Sequence, residues 1–167
     1  ETPTQIIADV AIVGETNIWF AAAGGYVYYS SNGGSSISTQ TAGTVTAQNL
    51  AAISFADSLL GYAVGAANAF IKTTDGGSWE AVTGPSVGIA LTAVKAIENT
   101  DIVFVGDASG NVFRSDDNGT TWETSLAASS STSGGIRGIA ACNCNIILVA
   151  ANDASGNGFV VMRNGDT

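Results

Sequence analysis

Apolar residues in this chain come in short runs, each cut off by Gly, Asn, Asp, Ser or Thr. The run Leu91–Ile97 predicts a strand, Glu98-Asn99-Thr100 a turn, and Ile102–Gly106 a second strand apolar on both faces. Asp107-Ala108-Ser109-Gly110 turns the chain again. Asn111–Ser115 then reads as a third strand, and Trp122–Ser125 opens a fourth. The same grammar runs upstream through Leu50–Ala56, Leu60–Ala66, Ala69–Thr73 and Trp79–Thr83. It also fits Ile6–Val13, Ile18–Ala23, Tyr26–Ser30 and Ser36–Gln40. Downstream it gives Ile136–Cys142, Ile146–Ala151 and Gly158–Met162. No segment holds apolar residues at i, i+3 and i+4 with charges between them. The wealth of Gly, Ser, Thr and β-branched residues further disfavours helix.

Four units of four short strands therefore account for the chain. Ser30 to Thr73 spans 43 positions and Thr73 to Ser115 spans 42, close to the roughly 40–45 residues of a propeller blade. The expected fold is all-β, a β-propeller of four four-stranded antiparallel blades, either a closed small ring or part of a larger one. Residues 1–167 form one domain, with blades at approximately 6–40, 50–83, 91–125 and 136–167. Strands apolar on both faces suit blades stacked face to face, and small residues such as Ala suit the crowded centre.

Each repeat places a polar hairpin before its fourth strand. The third reads Ser115-x-Asp117-x-Gly119-x-Thr121-Trp122. The second, Thr73-x-Asp75-Gly76-Gly77-Ser78-Trp79, is one residue shorter before its Trp. The first, Ser30-x-Asn32-x-Gly34-x-Ser36, has Asn for Asp and Ile37 for Trp. These hairpins resemble the Asp-box (BNR) motif of sialidases, sortilin-type receptors and Ycf48-like assembly factors. The resemblance implies a structural role for these residues. The acid or amide accepts backbone N–H groups, Gly permits positive φ, the hydroxyl adds a local bond, and the Trp buries a ring. The fourth repeat has no such box, and Asn164-Gly165 is expected to form a tight hairpin there.

The last repeat lacks most of an outer strand. Glu1-Thr2-Pro3-Thr4-Gln5 is expected to supply it, since Pro3 fits an edge strand, and such an addition would close the ring.

Composition narrows the function. Charged residues make up 11% and the net charge is −9, with 5 Lys+Arg against 14 Asp+Glu. Five scattered cations cannot build a phosphate-binding surface, which excludes nucleic acid as a partner. No apolar run approaches the ~18 residues of a membrane helix, so membrane insertion is not expected. A hydroxyl-rich surface of low charge points to an extracellular, cell-surface or virion location. Cys142 and Cys144 stand in Cys-Asn-Cys-Asn with no His anywhere in the chain. That is too few ligands for a zinc site, and free thiols, a local disulfide and an intermolecular crosslink all stay open.

No catalytic set emerges, and no cofactor is expected. Without His there is no serine triad of the usual kind. Arg114 and Arg163 lie toward the rim and only Arg137 is left, so the arginine triad that sialidases use is missing. Glu80 and Glu123 read as solvated charges on outer strands. Asp107 and Asp153 open matching Asp-Ala-Ser-Gly-Asn loops that a calcium ion could use, although such residues also make plain turns. Trp19, Tyr26, Tyr28, Tyr29 and Tyr62 would serve for sugar stacking if exposed, and most fall at core positions. Asn118-Gly119-Thr120 has the form of a glycosylation sequon inside the third hairpin. The sequence thus predicts a non-enzymatic structural or protein-interaction propeller, with a protein partner or self-assembly. A carbohydrate-binding adhesin and a Ycf48-like assembly factor are the alternatives.

Overall fold

In the computed structural model, which describes residues 2–85, 88–141 and 146–164, the apolar runs become antiparallel sheets that follow one another in chain order. Blade 1 holds β1 (Ile7–Val13), β2 (Asn17–Ala22), β3 (Tyr26–Ser30) and β4 (Ser38–Ala42). Blade 2 holds β5 (Leu50–Phe55), β6 (Gly61–Gly65), β7 (Phe70–Thr73) and β8 (Trp79–Ala81). Blade 3 holds β9 (Leu91–Ala96), β10 (Val103–Asp107), β11 (Val112–Ser115) and β12 (Glu123–Leu126). Blade 4 holds β13 (Gly135–Ala141), β14 (Ile146–Asn152) and β15 (Gly158–Asn164). The architecture is the expected four-bladed β-propeller, with three strands in the fourth blade among the described residues.

Packing runs from blade to blade along the innermost strands. β1 lies against β5, β5 against β9, and β9 against β13. Each junction has its own apolar core. Trp19, Leu50, Phe55 and Ile71 fill the first. Tyr62, Phe70, Leu91 and Val105 fill the second. Phe104, Val112, Ile136 and Val149 fill the third. The second strands of the two middle blades, Gly61–Gly65 and Val103–Asp107, are buried at all five positions because a blade covers each face. β1 has a comparable sequence, yet it alternates exposed with half-covered residues because one face has no neighbour.

The expected closure by the N-terminus is not what the structure shows. Residues 2–6 form no strand, and β15 pairs only with β14 among the described residues. The amides of Thr4 and Gln5 donate instead to the Tyr28 hydroxyl at 3.3 and 3.4 Å, which places this segment on blade 1. β1 and β13 make no packing contact of the kind that joins successive blades. The described blades form an open arc. Two short 3-10 turns, Ala23–Gly25 and Ala66–Asn68, follow the second strands of blades 1 and 2 and take in Ala23 and Ala66, which the apolar pattern puts at strand ends.

Candidate functional site at the propeller axis

Every innermost strand carries a β-bulge at the same place. The register slips between Ile7 and Asp9, between Leu50 and Ala52, and between Ile136 and Gly138. In blade 3 the slip leaves Thr92 without a partner between Leu91 and Ala93. A bulge inserts one unpaired residue and re-aims its side chain. The four inserted residues are Ala8, Ala51, Thr92 and Arg137, and all four line one axial concavity of about 340 Å³. Strand alternation is thereby broken where side chains meet around the axis.

Three of these residues are small, so the walls are low. The fourth brings a guanidinium. Arg137 is exposed and donates from Nη2 to the Gly134 carbonyl at 3.3 Å. Asp9 lines the same concavity. Its Oδ2 accepts the Ile53 amide of blade 2 at 2.9 Å and its Oδ1 accepts the Val10 amide at 2.9 Å. Asp9 is therefore held in place by blade packing. The arrangement offers a cation, an anchored carboxylate and the Thr92 hydroxyl among small residues. Such a set can bind a polar extended chain, and it contains no nucleophile paired with a base.

Sequence reasoning gave Arg137 no role and passed over Asp9. The signal was present in the aligned repeats: Ile7-Ala8-Asp9-Val10, Leu50-Ala51-Ala52-Ile53, Leu91-Thr92-Ala93-Val94 and Ile136-Arg137-Gly138-Ile139. The residue after the first apolar position varies and interrupts the period of two.

The polar hairpins have a common internal geometry. Gly34 and Gly119 donate their amides to Ser30 Oγ and Ser115 Oγ at 2.9 and 2.8 Å. Ser30 Oγ donates to Asn32 Oδ1 at 3.0 Å, Thr73 Oγ1 to Asp75 Oδ1 at 3.1 Å, and Ser115 Oγ to Asp117 Oδ1 at 2.7 Å. Asp75 also accepts the Gly77 and Ser78 amides at 2.8 and 2.6 Å. Asp117 accepts Thr121 Oγ1 at 2.6 Å and the Thr121 amide at 2.8 Å. These donors favour the ionised form. The Thr121 hydroxyl, then its amide, hold the Asp117 carboxyl down at about 2. The Ser78 amide leads the donors that hold Asp75 lower still.

The remaining sequence candidates fall into separate places. Asp107 Oδ1 accepts the Ser109 and Asn111 amides, and Asp153 Oδ1 accepts those of Ser155 and Asn157, all at 2.8–2.9 Å. Each Oδ2 accepts the Asn Nδ2 of its own turn at 2.9 Å. Both carboxylates close their turns, and among the described residues no three acids or Cys gather as metal ligands. Trp19, Tyr28 and Tyr62 are each 1% exposed, which removes them as a sugar platform. Burial, then the charges of Asp101 and Asp57, push the Tyr62 hydroxyl upward. The Asn118 amide is engaged by Tyr62 and Asp101. Arg114 pairs with Asp116 at 2.8 Å on the rim. Cys142, Cys144, the Arg163 side chain and the Asn164-Gly165 turn lie outside the described residues.

No family model and no curated protein sequence matches this chain. Solved structures do. YCF48 bound to D1 peptide superposes with a TM-score of 0.76 at 18% identity, over 98% of this chain and 53% of that one. The WD40 repeats of RRP9 give 0.71 at 10%, over 96% and 52%. A GH74 xyloglucanase from Xanthomonas campestris gives 0.62 at 16%, over 89% and 25%. The chain spans about half the length of the first two. At such identities the likeness is one of fold.

Proposed function

We propose that the chain is a non-enzymatic protein-interaction module whose axial concavity holds an extended, carboxylate-bearing segment of a partner protein. The observation that carries this reading is the convergence of the four bulges, which surrounds Arg137 with three small residues. A guanidinium matches a carboxylate with paired N–H donors, and Ala8, Ala51 and Thr92 leave room for a peptide backbone. The YCF48 structure, with a peptide in it, and the WD40 repeats lend support as propellers of like shape. The hairpin hydrogen bonds support reading the three polar boxes as Asp boxes. The low charge density favours a site outside the cell or on a particle surface. A carbohydrate role has less support, because Trp19, Tyr28 and Tyr62 are covered.

The test is binding to an array of acidic peptides that end in either a free carboxylate or an amide. The expected result is micromolar binding that needs a peptide carboxylate and that Arg137→Glu abolishes at unchanged melting temperature. Silence across the array, or binding indifferent to Arg137→Glu, would overturn the reading.

A further inference from the structure

Corresponding positions can be followed through the four blades by strand register, and they show what each blade face is built to meet. Trp19, Tyr62, Phe104 and Leu148 occupy one such position on the second strand, facing the next blade. The first three are each 1% exposed and Leu148 is 39% exposed. Val27, Phe70, Val112 and Val160 are the matching third-strand residues on the same face. Val27 and Val112 are fully covered and Phe70 nearly so, whereas Val160 is 75% exposed. Met162, opposite Leu148, is 64% exposed. The leading face of blade 4 is therefore an apolar blade face on which no blade packs among the described residues.

The other end of the arc shows the complement. Ile12 takes the position held by Phe55 in blade 2 and Ala96 in blade 3. It is 63% exposed where they are 6% and 0%. Val10 takes the position of Ile53 and Val94 and is 47% exposed against their 4% and 8%. Within the chain, Trp19 stacks on Phe55 at 4.0 Å to make the first junction. Leu148 set over Ile12 would repeat that contact. Among the described residues the chain does not make it with itself, because β1 and β13 do not pack as successive innermost strands do.

We propose that two copies of this chain close one ring, the leading face of blade 4 in each copy seated on the trailing face of blade 1 in the other. Three observations select a second copy as the occupant. The face that blade 4 needs is one this chain exposes. The junction positions on both faces are apolar, so two chains of net charge −9 meet without setting like charges against each other. The arc also superposes on 53% and 52% of two longer propeller chains, which leaves room in each for about as much chain again. A head-to-tail contact closes when its rotation completes a circle. Two half-rings related by a twofold axis along the propeller axis satisfy that condition and bury both faces at once. Isolated contiguous apolar faces of this kind mark interaction surfaces.

Light scattering and sedimentation equilibrium on the 167-residue chain test this. The expected particle has twice the 16.7 kDa chain mass. Ile12→Lys and Val160→Glu alter residues already exposed in one copy, so each variant should keep its circular dichroism while losing the double-mass species, and its melting transition should fall to that of the single chain. Mixing the two variants should restore it, because one junction is then native and the other sets Lys against Glu. A particle of single-chain mass at every concentration would overturn the proposal, and would fit further blades on a longer polypeptide. A double-mass particle indifferent to Ile12→Lys, or no recovery on mixing, would overturn it as well. Neither readout depends on peptide binding, so this proposal and the axial-site proposal fail separately.

Discussion

Trp19 donates its indole N–H across the first blade boundary to the carbonyl of Gly76, at 3.1 Å. The same carbonyl accepts Gln40 Nε2 at 2.8 Å, and Gln40 Oε1 accepts the Trp79 indole N–H at 2.8 Å. Blade 1 thus satisfies the polar edge of Trp79 in blade 2 through a single Gln. The next boundary lacks this device. Val82 stands where Gln40 does, by register, and the Trp122 indole N–H is buried without a partner. Its ring is held by packing alone, edge-on to Phe70 at 5.4 Å.

Opposite shifts are expected from exchanging these two residues. Gln40→Val leaves the Trp79 N–H unpaired and should cost about 1–3 kcal/mol. Val82→Gln offers Trp122 an acceptor and should gain roughly 0.5–1 kcal/mol after its lost packing is counted. Urea denaturation of the two variants beside the parent measures both. A loss in Val82→Gln as large as that in Gln40→Val would refute the pairing argument.

The third hairpin should lose its contribution to stability in acid. The folded Asp117 carboxyl lies at about 2 against an ordinary 3.8. A depressed carboxyl contributes stability that is full above its unfolded value and disappears as pH falls toward the folded one. Melting temperature is therefore expected to drop between about pH 4 and pH 2. Asp117→Asn should make that part of the profile shallower, with Asp75 keeping its share, while keeping the fold, because Asn32 makes equivalent hairpin bonds in blade 1. There Asn32 Oδ1 accepts the Ser36 amide at 2.8 Å and Nδ2 donates to Ser36 Oγ at 2.8 Å. Melts from pH 2 to 5 on both proteins check it.

Ala67 is strained in its turn. Its φ is +53°, in the left-handed region, and Gly24 holds the corresponding place in blade 1 at φ +69°. A residue with a Cβ pays roughly 1–2 kcal/mol there, partly offset by the greater freedom of Gly in the unfolded chain. Ala67→Gly is expected to raise stability by about 0.5–1 kcal/mol, or roughly 1–4 °C for a chain of this size. Differential scanning calorimetry reads the change, and a lowered transition would contradict it.

The strand pattern was largely legible. Tyr26–Ser30 matches its predicted bounds, and most other edges differ by one or two residues, as at Leu50–Phe55 and Val112–Ser115. The hairpins were legible too, because Asp, Ser, Thr and Gly act there through bonds to their own neighbours. The axial site was not. Thr92 and Arg137 reach the concavity through bulges, and a bulge depends on pairing with another strand. Asp9 acts through Ile53, which lies 44 positions on. The exposed ends were equally hidden, since Ile12 and Phe55 look alike as core residues until the arc shows that only one has a blade over it. The closure by Glu1–Gln5 was a reasonable reading of Pro3, and Tyr28 captured that segment instead.

The succession of blade contacts without a closing one gives the single chain the energetics of a linear array. Its stability then resembles a sum of unit and nearest-neighbour terms, as in repeat proteins. The two inner units each have two neighbours and the outer units one. Opening should therefore be graded rather than all-or-none, and a single unfolding free energy would describe the molecule poorly. Hydrogen exchange on the single-copy Ile12→Lys variant should protect Gly61–Gly65 and Val103–Asp107 longest and release β1 and β15 early. Uniform protection across all four units would show instead that the chain opens as one body.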